Sequence, residues 1–181
     1  MSHHLPGTQP IPPSQSASPT NCAVSNQVWG WLVPLAEGLD YVQLDKDCVK
    51  VGRDPDQCHL VLTHQTFQSL EHSVEKVSRI HLVLYREQSD DNSGVNDLSM
   101  NGTFVNKVKV GKGDKMILEH CNVISVLSNE IELFRYLDRD VMERDFPRPV
   151  TSKYLVGQVL GDGTTSVVRL GIRREDHTEV H

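Results

Sequence analysis

The 181-residue chain has no uninterrupted apolar stretch long enough to span a bilayer, and its N-terminus has neither the charged start nor the continuous apolar segment of a signal peptide. A nuclear or cytosolic protein is expected. Basic excess is missing too: 18 Lys and Arg stand against 24 Asp and Glu, a formal net charge of -6, so there is no broad basic field for steering toward nucleic acid or anionic lipid. Any anion site must therefore be local. Cysteine is scarce, and Cys22, Cys48, Cys58 and Cys121 show no C-x-x-C spacing, so they read as reduced, partly buried thiols and predict neither a disulfide framework nor a metal site. His3-His4 in a polar segment make no metal site without further partners.

What is present is β-rich. Residues 1–27 hold Pro, Ser, Thr, Gln and His with few apolar residues, too little to offset ordering entropy, and are expected to be a disordered tail. From Trp29 the texture changes. Short, β-branched runs punctuated by Gly, Asp and Asn follow one another at 29–35, 41–44, 48–51, 59–62, 80–85, 103–105, 108–110, 115–118, 123–127 and 131–136. Many short strands at even spacing predict an all-β sandwich or barrel over 28–136. The polar stretch 63–77 reads as a long rim loop, 86–94 as a second loop without a role, and 137–153 as a linker or short helix ended by proline.

Three motifs fall where strand-like runs give way to loops: Val51-Gly52-Arg53, Ser78-Arg79-Ile80-His81 and Asn101-Gly102-Thr103-Phe104-Val105-Asn106. Arg53 and Arg79 offer fixed cations, Ser78 a hydroxyl and Asn101 an amide, the donors needed by a phosphate dianion and the peptide backbone beside it. No nucleophile, base or metal cluster accompanies them, which favours recognition over catalysis. Each motif alone has a plainer reading. Arg53 is also suited to a surface salt bridge, and Asn-Gly to a simple hairpin turn.

In order and residue type the three motifs resemble the signature of the forkhead-associated (FHA) domain, a β-sandwich that reads phosphothreonine in extended peptides. The resemblance implies phosphate contact by Arg53 and Ser78, a flanking basic group at Arg79, and a peptide main-chain contact by Asn101. It makes Gly52, His81 and Gly102 structural, with His81 a buried, hydrogen-bonded imidazole. The competing idea, a sandwich adaptor without phosphate specificity, would leave Arg53 and Ser78 as solvated bystanders.

Over 154–181 the run from Leu160 through Gly161, Gly163, Ser166 and Val168 resembles the glycine-rich loop that covers ATP phosphates in protein kinases, with Ser166 in place of the third glycine. The kinase lysine, catalytic aspartate and magnesium ligand do not follow, so this stretch is expected to be an incomplete kinase N-lobe. The chain as it stands would need no cofactor and perform no phosphotransfer, with ATP and magnesium belonging only to a complete kinase. A hairpin without its opposing lobe is expected to be loosely packed, over 150–181.

An FHA domain followed by a kinase N-lobe resembles the checkpoint kinase 2 family of DNA-damage serine/threonine kinases. In that family, tails carry S/T-Q phosphorylation sites, which the resemblance assigns here to Thr8 and Ser14; Ile11 supplies the aliphatic residue favoured three places after phosphothreonine. The resemblance implies a phosphorylation-dependent homodimer and binding of phosphothreonine proteins, while the charge balance and the lack of long apolar runs predict no direct nucleic-acid or membrane contact. The alternative is a fragment of an active ATP-dependent kinase that continues past His181.

Overall fold

A computed structural model describes residues 27–67, 74–87, 89 and 92–181. Alternation along the strands sets the layers. Val49 and Val51 on β3 (Cys48–Gly52) and Leu82 and Leu84 on β5 (Leu82–Arg86) point inward at two-residue spacing, where they meet Leu32 of β1 (Gly30–Pro34) and Ile124 and Val126 of β10 (Val123–Val126). One sheet runs β2 (Val42–Leu44), β1, β11 (Glu132–Asp138), β10, β7 (Thr103–Val105), β8 (Val108–Lys109). The facing sheet runs β4 (Leu60–Val61), β3, β5, β6 (Ser93–Asp97), β9 (Lys115–Ile117), with β3 and β4 its one parallel pair. The predicted β-sandwich is therefore what the chain forms.

Strand β6 is a departure. Ser93 and Gly94 fall in the expected 86–94 loop and Val95, Asn96 and Asp97 in none of the expected strands, yet Ser93–Asp97 forms an interior strand between β5 and β9. Polar Ser93 and Asp97 are buried there because hydrogen bonding, and not apolar character, fits them to the interior. The described residues of 63–77 include two short 3-10 turns, Gln65–Phe67 and Val74–Lys76, with Phe67 and Val77 anchored in the core.

The expected linker is also more ordered than its composition suggests. β11 runs on to Asp138, whose carboxylate then caps helix α1 (Arg139–Asp145) by accepting the Val141 N–H at 2.9 Å. α1 ends at its C-cap Phe146, directly before Pro147, as expected of a short helix ended by proline, and Pro147 also precedes a one-turn helix, α2 (Arg148–Thr151). β12 (Tyr154–Asp162), β13 (Val167–Arg173) and β14 (Glu179–Val180) make a third, antiparallel sheet.

That third sheet corrects the expectation of loose packing. Leu155, Val156, Leu170 and Ile172 are buried with Trp31, Val33 and Leu137, which leave the outer face of β1 and β11, and with Met142 of α1. Arg174 lies over the Trp31 ring, 4.4 Å from its centroid, and His177 stacks on Tyr41 at 4.2 Å. Only the far end of the hairpin is open, with Val159, Leu160, Val167 and Val168 all more than two-fifths exposed.

Candidate functional site

The end of β3, the turn before β5 and the β6–β7 loop are tied together by backbone bonds. Arg53 N–H donates to the Ser78 carbonyl at 3.2 Å, Asp54 N–H to that of Arg79 at 3.2 Å, and His81 N–H to that of Val51 at 2.8 Å. Gly52 sits inside this crossing. A Cβ at that position would strike the Arg79 carbonyl, so glycine is required by the approach of two backbones.

The side chains are then set one by one. Arg53 is exposed, and its Nε donates to the Val77 carbonyl at 2.8 Å, orienting the guanidinium while leaving both Nη groups for a ligand. Among the described residues it makes no salt bridge. Ser78 Oγ accepts the Met100 N–H at 3.1 Å, which leaves the hydroxyl proton to donate outward. Arg79 is exposed beside it, with its carbonyl already used by Asp54 N–H and by Cys58 Sγ at 3.0 Å. Asn101 Nδ2 donates to the Lys76 carbonyl at 2.7 Å, keeping Oδ1 and one amide proton free. Asn101-Gly102 is not the hairpin turn. That role falls to Asn106 and Lys107, at φ 47 and 69, between β7 and β8.

His81 is the internal tie. It is fully buried, its Nδ1 accepts the Ser78 N–H at 3.2 Å, and its Nε2 meets the Gly102 carbonyl at 3.0 Å. The ring thus carries its proton on Nε2 and joins two of the three motifs directly. Burial lowers its pKa, against an opposing pull from the Gly102 carbonyl and Asp97. Gly102, at φ 104, supplies the left-handed backbone that aims this carbonyl inward.

One organising residue escaped sequence reasoning. Asp97 is fully buried and accepts from Ser99 N–H at 2.9 Å, Thr103 Oγ1 at 2.8 Å and Thr103 N–H at 3.2 Å. Burial pushes its carboxyl up, but the bonds from Ser99 and Thr103 outweigh that and hold the pKa below the ordinary range. Ser99 Oγ in turn accepts Gly102 N–H at 2.8 Å. The available signal was the dense run of Asp, Ser, Asn and Thr from 97 to 103, residues that bond their own backbone when placed in a loop.

Other predicted positions lie elsewhere. Leu160, Gly161, Gly163, Ser166 and Val168 occupy the exposed end of the β12–β13 hairpin, where Gly163 N–H donates to the Ser166 carbonyl at 2.8 Å. A side chain at Gly161 would meet nothing within 4 Å, so the local packing leaves this position open. Thr8, Ile11 and Ser14 fall outside the described residues. Among the described residues, Cys48, Cys58 and Cys121 form no disulfide, Cys48 being buried and the others half-buried.

Residues 49–126 match the model of the FHA domain. A probable serine/threonine-protein kinase fhkC of Dictyostelium discoideum is 31% identical over 159 residues, covering 82% of this chain and 24% of the kinase. Serine/threonine-protein kinase chk-2 of Caenorhabditis elegans is 27% identical over 177 residues, covering 96% of this chain and 36% of its own length. The chain therefore spans only a minor part of these kinases. In fold it is like the N-terminal FHA domain of S. cerevisiae Rad53p, solved with a phosphothreonine peptide, at a TM-score of 0.50 and 20% identity over 66% of this chain and all of that one.

Proposed function

Residues 49–126 form an FHA domain, and from that premise we propose that this chain binds phosphothreonine peptides at the rim built from Arg53, Ser78, Arg79 and Asn101. The observation that carries the reading is the state of the donors. Arg53 and Ser78 are each oriented by one internal hydrogen bond and retain outward donors, so the site is organised before any ligand arrives. A phosphothreonine brings about -1.5 to -2 charge and three acceptor oxygens to these groups. Asn101, oriented by its bond to the Lys76 carbonyl, would use Oδ1 and its remaining amide proton to bond the peptide main chain. Nothing in this rim does chemistry on the phosphate.

The kinship with serine/threonine kinases supports a wider setting: a regulatory segment of a DNA-damage checkpoint kinase, acting in the nucleus. Its glycine-rich hairpin would contribute to ATP and magnesium binding in a complete catalytic domain. Phosphorylated Thr8 of one copy would occupy the rim of another and make a homodimer. The local cationic rim on a chain of net charge -6 favours phosphorylated proteins over nucleic acid or membranes as partners.

The central reading is tested by calorimetric titration of the chain with matched phosphothreonine, phosphoserine and unmodified peptides, alongside Arg53→Ala. Tight binding of the phosphothreonine peptide alone is expected. Loss of the charge-assisted contact in the variant should cost about 1–3 kcal/mol, several-fold to a few hundred-fold in affinity. Equal affinity of variant and parent would remove Arg53 from the site.

A further inference from the structure

Where α1, α2 and the turn after β13 meet, a cavity of about 420 Å³ is lined by Arg139, Arg148 and Arg174 together with Glu143 and Ser152. Three guanidiniums around one opening are unexpected on a chain of net charge -6. Their own partners separate their roles. Arg139 is saturated: its Nε and Nη2 bond Asp140 Oδ1 at 3.0 and 2.7 Å and its Nη1 bonds the Val28 carbonyl at 3.1 Å. Glu143 stands 3.7 Å from Arg139 and leans toward that group.

Arg174 is different. Its plane lies on Trp31 and its Nε donates to the Thr151 carbonyl at 2.8 Å, which fixes the fork and leaves the two Nη groups without a carboxylate. Burial works against its charge, and Glu143 opposes that effect only in part. Arg148 is exposed and makes no ion pair among the described residues. Ser152 Oγ donates to the Pro149 carbonyl at 3.2 Å and keeps its lone pairs and a short reach into the opening.

We propose that this cleft is a second anion site, separate from the rim, which takes a phosphate monoester carried on a peptide. A fixed guanidinium fork and a second, exposed guanidinium match the equatorial oxygens of a phosphate better than they match a single carboxylate. The cavity is far larger than one phosphate group, so the anion comes with a chain attached. Because the lining residues belong to the helices α1 and α2 and to the turn after β13, an occupant bridges these and holds the third sheet against the two helices. The proposal uses no residue of the rim and stands or falls independently of it.

The test uses the full 181-residue chain carrying Arg53→Ala, so that the rim is silenced, and follows the Arg174 Nε–H and Ser152 amide resonances. Inorganic phosphate is the first probe, against chloride at matched ionic strength, and a phosphoserine peptide with its unmodified counterpart is the second. Saturable shifts with phosphate, absent with chloride, are expected. The phosphopeptide should bind at least about ten-fold tighter than inorganic phosphate, and Arg148→Ala, an exposed change that does not disturb packing, should weaken both several-fold. Chloride-like linear shifts, or an Arg148→Ala variant that binds like its parent, would overturn the site. A phosphopeptide no tighter than inorganic phosphate would overturn its assignment to a peptide-borne group.

Discussion

Asp97 and His81 hold the rim from beneath, and their chemistry makes the prediction at the scale of single residues. Asp97→Ala leaves the Ser99 and Thr103 N–H groups and the Thr103 hydroxyl buried without an acceptor, and should cost about 3 kcal/mol in a urea titration. A midpoint within error of the parent would show that the network reorganises at no cost. The two groups also set a pH response. His81 has a folded pKa lowered by burial, so the unfolded chain takes up its proton first, and the stability it contributes is complete above about 6.5 and is lost as pH falls toward the folded value. Burial acts to raise the Asp97 pKa, but hydrogen bonds prevail and depress it, so its contribution is present above about 3.9 and is lost as pH falls through its folded value. Stability should therefore decline in two stages on acidification. His81→Gln should flatten the first, with His59 and His120, whose pKa values burial also lowers, accounting for what is left.

At the scale of elements, the 3-10 turn Val74–Lys76 is the part of the rim with least support of its own. Val77 anchors its end in the core, and its last carbonyl is held by Asn101 Nδ2. Asn101 thus has two tasks, to bind peptide and to hold the turn that leads to Ser78. Asn101→Ala should reduce phosphothreonine-peptide affinity about ten-fold while changing stability by less than about 1 kcal/mol, since the group is exposed. Asn101→Asp keeps an acceptor but removes the donor to Lys76 and places a negative charge beside the phosphate, so a larger loss is expected. Calorimetry paired with thermal melts separates the two variants; equal losses would mean that charge at this position does not reach the ligand.

At the scale of the whole molecule, the third sheet and the sandwich share a core, so they should unfold together. Ile172→Ala empties a fully buried position in the cluster that also holds Trp31 and Leu155 and is expected to cost about 2–4 kcal/mol and to lower the melting temperature of the chain as a single transition. Two transitions, with the sandwich unmoved, would show that the hairpin is an independent appendage. The proposed homodimer is tested on the same scale by light scattering of a phospho-Thr8 semisynthetic chain beside Thr8→Ala. The phosphorylated form should dimerise with an affinity that weakens with salt, and reciprocal exchange should strengthen the second contact. Monomers of both forms at tens of micromolar would assign the tail to another reader.

Two-residue periodicity and loop punctuation were enough to read most sandwich strands and the three rim motifs, because strand pattern and turn chemistry are local properties. The sequence by itself also set the charge balance that confines anion binding to local sites. Strand β6 was not legible as a strand: Asp97 is buried on bonds from nearby Ser99 and Thr103, a local signal, but the pairing with β5 and β9 that makes the segment an interior strand arises only on folding. The buried, hydrogen-bonded His81 was read correctly from the motif resemblance, but its partner at the Gly102 carbonyl, 21 positions on, and the Arg79 backbone 27 positions away that makes Gly52 necessary, are supplied only by folding. Only the tertiary structure decided that Trp31, Val33 and Leu137 face a second core: in the sequence they are ordinary strand residues, and what covers their outer side is a hairpin more than a hundred residues from Trp31.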